Sequence, residues 1–148
     1  MEYEQTRFCS QWRTYAYLIH NLVYGEKLPS SLDMQKMALS YDERIPEYIN
    51  DAFFERDVNK LMNDDCMGYT LVTLSVGLWA YWHAASFEDG LLAVVNAGGD
   101  ADTNAAVACA VLGAKFGFSS IPQEYVDGLI YKDQLEAVYS GLAKVILG

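Results

Sequence analysis

The chain has 148 residues, a size suited to one domain, and its 20 acidic against 10 basic side chains give a net charge of −10. That balance excludes nucleic-acid backbone binding as the main activity. No stretch approaches the roughly 18 uninterrupted apolar residues of a membrane span, and Met1 is followed by Glu2 rather than a basic segment, so neither a membrane nor a secretory signal is expected.

In chain order, the residues predict helix after helix. Phe8, Trp12, Tyr15, Leu18, Ile19, Leu22 and Val23 recur at helical spacing, and Gly25 can end that segment. Pro29-Ser30-Ser31 opens a second helix toward Leu39, and Pro46 begins a segment with Tyr48, Ile49, Phe53 and Phe54 that runs on past Val58 to Leu61. Asp64-Asp65 then precedes an apolar helix from Leu71 to Ala85, and these acids fit a helix cap better than a second metal cluster. Thr73, Ser75 and His83 mark that helix as buried core rather than membrane span. Ser86-Phe87-Glu88-Asp89 has the spacing of a capping box and opens a short helix through Leu91, Leu92, Val94 and Val95. Ala105, Ala106, Ala108, Ala110, Gly113 and Ala114 make the following helix slim, so that neighbouring backbones can approach it closely. Ile121-Pro122 starts another helix toward Leu129, and Leu135, Val138, Tyr139, Leu142 and Ile146 mark the last. No strand, repeat or linker divides the chain, so a single all-α domain over residues 1–148 is expected.

Cys9, Cys66 and Cys109 are odd in number and show no C-x-x-C pattern, which suggests reduced thiols in a cytoplasmic setting. His20 and His83 lack the i, i+4 partner of a helical zinc site and receive no role. Apolar residues make up 52% of the chain and aromatics 14%, which fits either spare apolar surface that a partner could cover or a tyrosine-rich monomer.

The chemistry is concentrated in Ala97 to Gly117, AGGDADTNAAVACAVLGAKFG. Gly98 and Gly99 allow a sharp turn that brings Asp100, Asp102 and Thr103 together at a helix start. Two readings stand side by side. Acids at a helix N-terminus are favoured by the macrodipole and by capping; equally, two carboxylates and a hydroxyl suit a hard cation such as Mg²⁺ or Mn²⁺.

The surrounding pattern resembles the C-terminal half of the ADP-ribosylglycohydrolase family. The resemblance runs through Gly68-Tyr69, Leu78-Trp79-Ala80, Ser86-Phe87-Glu88-Asp89, Gly98-Gly99-Asp100-Ala101-Asp102-Thr103-Asn104-Ala105-Ala106, Gly113-Ala114, Phe116-Gly117 and Ile121-Pro122, about half the chain. It implies a compact multi-helix orthogonal bundle forming part of that fold. It also implies metal-dependent hydrolysis of the glycosidic bond between ADP-ribose and a protein side chain or related acceptor. Asp100, Asp102 and Thr103 carry over as metal ligands to Mg²⁺ or Mn²⁺, two ions in the complete family site, and Gly68, Tyr69 and Gly99 as substrate-binding residues. The family's N-terminal half supplies a Gly-Asp-Ala-x-Gly segment, a Thr-Asp-Asp-Thr cluster and the general acid or base; this sequence contains neither motif, so the resemblance assigns no catalytic residue here. The expected partners are ADP-ribose or an ADP-ribosylated substrate, together with an N-terminal-half chain or a second copy. A binding module without turnover and a structural remnant are the alternatives.

Overall fold

The computed structural model describes residues 2–26, 28–62 and 68–147, with side chains from residue 12 to residue 146 of those stretches. Within them the chain is helical throughout: α1 (Glu2–Tyr24), α2 (Ser31–Leu39), α3 (Ile45–Phe54), α4 (Thr70–His83), α5 (Phe87–Asn96), α6 (Ala101–Phe116), α7 (Gln123–Asp127) and α8 (Lys132–Leu147). No strand occurs among the described residues, as the sequence predicts. The Asp64-Asp65 cap and Cys66 lie outside the described residues, as do the side chains of Phe8 and Cys9.

Local chemistry accounts for most of the boundaries. Gly25 ends α1 with φ +64°, a conformation that costs a residue with a Cβ. Ser30 caps α2 in a full box, its hydroxyl accepting from Asp33 N–H while the Asp33 carboxylate accepts from Ser30 N–H. Ser86 does the same work for α5, accepting from Asp89 N–H at 3.1 Å.

The third segment departs from the expectation of one helix running to Leu61. α3 stops at Phe54, Glu55 turns extended, and a separate 3-10 turn covers Val58–Lys60. Acidic side chains take over the backbone here: Glu55 accepts from Asp57 N–H at 2.9 Å and Asp57 from Asn59 N–H at 3.1 Å, offering these groups an alternative to the helical ladder. The helix expected from Ile121 to Leu129 is likewise only the five residues of α7, closed by Gly128 N–H on the Glu124 carbonyl.

α4 lies at the centre. Every residue from Leu71 to Ala80 is buried, and a helix apolar all round must be surrounded by protein. Leu18, Met34, Ile45, Ile49, Val94, Val111 and Leu112 are among the buried side chains packed around it, each worth about 1.5–3 kcal/mol when withdrawn from water. α6 packs closely against both α4 and α5, as its small residues predict, with Ala105 and Ala108 buried. Gly113 has nothing within 4 Å of a Cβ built on it, whereas Gly77 faces Val107 and Gly90 faces Ala84 and Leu112. The larger side chains of α6 therefore press into glycines on its neighbours α4 and α5. Lys115 closes the far end of α4, donating to the Tyr81 and Ala84 carbonyls at 2.7 and 2.9 Å. Among the described residues no helix is long and apolar enough to cross a membrane.

Candidate functional site

Contacts between helices fix their sense. Gly77 on α4 lies against Val107 on α6, and further along Lys115 reaches Tyr81 and Ala84, so α4 and α6 run the same way. On α3 and α4, Arg44 meets Tyr69, while Ala52 and Phe53 meet His83 and Trp82; α3 runs that way too. The starts of α3, α4 and α6 consequently share one end of the bundle, which brings Gly68-Tyr69 and Gly99-Asp100-Ala101-Asp102-Thr103 to the same end although some thirty residues separate them.

The backbone at this end is built for turning. Gly68, Gly98 and Gly99 have φ of +75°, +78° and +61°, all in the left-handed region that glycine adopts without strain. Tyr69 and Asp100 stand at the N-cap positions of α4 and α6, and neither side chain makes a capping hydrogen bond. Arg44 at the start of α3 makes none either. Ser30 and Ser86 cap α2 and α5, whereas α4 and α6 start without a side-chain cap from Tyr69 or Asp100, and at the start of α3 Asp42 accepts from the Arg44 and Ile45 N–H groups.

Asp100 is half-buried, and Asp102 and Thr103 are exposed. Asp102 Oδ1 accepts from Thr103 N–H at 2.9 Å, which leaves its second oxygen uncommitted. In donor type the trio fits a hard cation. In number it is partial: among the described residues no three His, Cys, Asp or Glu side chains gather in one place. Asn104 follows directly, 3% exposed, and its side-chain oxygen has no hydrogen-bond partner among the described residues. Sequence reading passed over this orphaned acceptor because burial was needed to see it.

Arg44 is a second residue the sequence did not single out. Its Nε and Nη2 donate to the two oxygens of Asp42 at 3.0 and 2.7 Å, and its Nη1 lies 3.4 Å from the Tyr69 hydroxyl. The Asp42 hydrogen bond raises the guanidinium further above its ordinary pKa. The Tyr69 ring packs edge-on against Tyr48 at 6.0 Å. An open cavity of about 260 Å³, lined by residues including Arg56, Asn59, Trp79, Asn96 and Ala97, reaches to the residue before the Gly98-Gly99 turn.

The histidines and the described cysteine serve the fold. His83 meets the Ala52 carbonyl at 3.0 Å, and His20 lies beside Glu26 and the Tyr24 ring. Cys109 is half-buried, and burial pushes its thiol pKa up, away from reactivity.

Comparison with known proteins supplies a family. The ADP-ribosylglycohydrolase family model matches residues 9–147. An ADP-ribosylarginine hydrolase Tri1 of Serratia proteamaculans is 37% identical over 68 residues, 46% of this chain and 19% of that protein. The Tri1 protein of Pseudomonas putida is 36% identical over 69 residues, 47% of this chain and 19% of its own length. An uncharacterised protein of Archaeoglobus fulgidus is 35% identical over 108 residues, 70% of this chain and 34% of that protein. The chain thus spans about a fifth to a third of the length of these relatives. No solved structure matches it. With the family match extending over nearly its whole length, the chain belongs to the ADP-ribosylglycohydrolase family.

Proposed function

We propose that this chain contributes the Asp100–Thr103 side of a metal-dependent glycohydrolase site, which cleaves the glycosidic bond between ADP-ribose and a protein side chain. The remaining ligands and the general acid or base come from a companion segment. The observation that carries this is the shared end of α3, α4 and α6, where the starts of α4 and α6 carry Gly68, Tyr69, Asp100, Asp102 and Thr103 and neither is capped by a side chain. The two relatives named as ADP-ribosylarginine hydrolases support modified arginine as the acceptor.

Each residue has a chemical part. Asp100, Asp102 and Thr103 would hold Mg²⁺ or Mn²⁺ through oxygen. When bound, such an ion orients ribose hydroxyls and polarises the reacting centre. The turns at Gly68 and Gly99 let backbone N–H groups approach the ligand without a Cβ in the way, and the positive ends of α4 and α6 favour its negative charge. Tyr69 offers a ring face. The companion segment is supported by the partial donor set and by the apolar side chains left on the surface, among them Phe54 at 70%, Ile130 at 89% and Val145 at 83% exposure. That partial donor set also favours a second reading, a binding module that holds ADP-ribose or a metal without turnover.

Calorimetric titration of ADP-ribose, with Mg²⁺ and with chelator, tests the site. Binding should require the cation and be lost in the Asp100→Asn/Asp102→Asn variant, whose fold should persist because Asp100 caps nothing. Hydrolysis of an ADP-ribosylated arginine peptide only on adding the companion segment supports the catalytic reading; metal-linked binding that never leads to turnover selects the binding module. Binding indifferent to both metal and mutation would sink the site itself.

A further inference from the structure

We propose that Arg44 is an anion-binding residue of this same site, taking a pyrophosphate oxygen of ADP-ribose on its Nη1 edge; the proposal rests on the functional reading just given. The side chain is held as a recognition group rather than left as a surface charge. Asp42, whose side chain is 4% exposed, lies beneath the guanidinium, which is itself 46% exposed. Both Asp42 oxygens accept from it, at 3.0 and 2.7 Å, and Oδ1 also accepts from the Arg44 backbone N–H at 3.0 Å. The rotamer is thereby fixed before any ligand arrives, which removes most of the ordering cost of using a long side chain.

Donor arithmetic leaves capacity for a ligand. A guanidinium carries five N–H groups in a planar fork, and Asp42 takes two of them. The Nη1 contact to the Tyr69 hydroxyl, at 3.4 Å, exceeds the usual range of about 2.7–3.2 Å for such a bond. It guides the fork without saturating it. The edge that remains lies beside Tyr69, at the end where α4 and α6 begin. A planar fork matches two oxygens of a phosphate, and these charge-assisted bonds are the strong ones. On a chain of net charge −10, a dianionic pyrophosphate is repelled unless a positive group is placed where it binds. Arg44 is a fixed guanidinium beside Tyr69, and nothing in the local sequence ties the two together, since they are twenty-five residues apart.

The test uses the ¹⁵N-labelled chain with Mg²⁺ present and the NMR signals of its arginine Nε–H and backbone amides, titrated separately with inorganic pyrophosphate, ADP-ribose and adenosine. Pyrophosphate and ADP-ribose should move the Arg44 Nε–H signal, and adenosine should not. Arg44→Gln should weaken pyrophosphate binding by about tenfold or more, with Arg44→Lys recovering part of that as a point charge without the fork. Because Arg44→Gln leaves Asp42 without its cation and can disturb the fold, the wild-type titration stands as an independent arm. Pyrophosphate that leaves the Arg44 signal unmoved, or moves only surface lysines as an adventitious ion, overturns the proposal. ADP-ribose that moves the Asp100 to Thr103 amides but not Arg44 overturns it alone. ADP-ribose that moves neither takes the site reading with it.

Discussion

Tyr15 joins α1 to α6 through one hydrogen bond, its hydroxyl donating to the Val107 carbonyl at 2.8 Å. Burial, and secondarily the nearby Cys109 thiol, push this phenol from 10.0 up to about 12. The unfolded chain releases the proton near 10.0 while the folded chain still holds it. Over that window the unfolded state binds fewer protons, so stability falls as pH rises. The contribution is complete below pH 10 and is lost by about pH 12. Urea midpoints measured from pH 8 to pH 12 should therefore drop more steeply for the wild type than for Tyr15→Phe, which should start about 1 kcal/mol less stable for want of the bond. Parallel slopes in the two proteins would show that Tyr15 ionises normally and that the bond does not hold the proton. At this scale, what the sequence disclosed was what local chemistry decides. Ser86 was legible as a cap because a hydroxyl three residues before an acid is a self-contained signal, the same one that Ser30 and Asp33 turn out to use. Asp100 was ambiguous for the opposite reason: capping and metal ligation ask for the same residue, and the geometry speaks to capping alone, showing that its side chain caps nothing.

Glycine, at the scale of whole helices, does opposite things on neighbouring elements. A Cβ at Gly90 on α5 would lie 2.8 Å from the Ala84 methyl and 2.8 and 2.9 Å from the two Leu112 methyls. Leu112 is fully buried and has nowhere to go. Gly90→Ala should accordingly destabilise the protein by about 1–3 kcal/mol through overpacking. Gly113→Ala, inside α6 with nothing within 4 Å, should instead stabilise by about 0.5–1 kcal/mol, because alanine gives up less backbone freedom on forming a helix. Chemical denaturation of the two variants checks the opposed signs, and destabilisation by both would mean that α6 packs more tightly near Gly113 than its surroundings indicate. The run of small residues made α6 and its close packing readable, but not that Val107 and Leu112 of α6 press into glycines on α4 and α5. Side-chain size along one helix does not say which face its neighbours use. The stop of α3 at Phe54 was hidden for a related reason, since the apolar spacing continues to Val58 while Glu55 and Asp57 divert the backbone.

Direction is a property of the whole molecule, and the site depends on it. α4 and α6 run the same way because α5 returns the chain between them, its Gly90 facing Leu112 as an antiparallel neighbour would, and α3 joins them through its contacts with α4. Local sequence carries no record of that sense, which is why Arg44 was invisible as a companion of Tyr69. The same global arrangement leaves α8 apart. Its Leu135, Val138, Tyr139, Leu142, Val145 and Ile146 are 50–83% exposed, although their spacing is that of a buried face. Lys132 anchors its start to Asp127 at 2.6 Å, an exposed pair of small worth. A helix of 16 residues without a packed face is marginal in water, so α8 should open locally at little cost, while α4 opens only with the whole fold. Hydrogen exchange followed by mass spectrometry should show α8 amides exchanging orders of magnitude faster than those of Leu71 to Ala80. Adding the companion segment should slow α8 selectively, because covering its apolar face removes the penalty for staying helical. Protection of α8 equal to that of α4 in the chain alone would contradict an uncovered face, and its dependence on protein concentration would then tell a second copy from a contact within the chain.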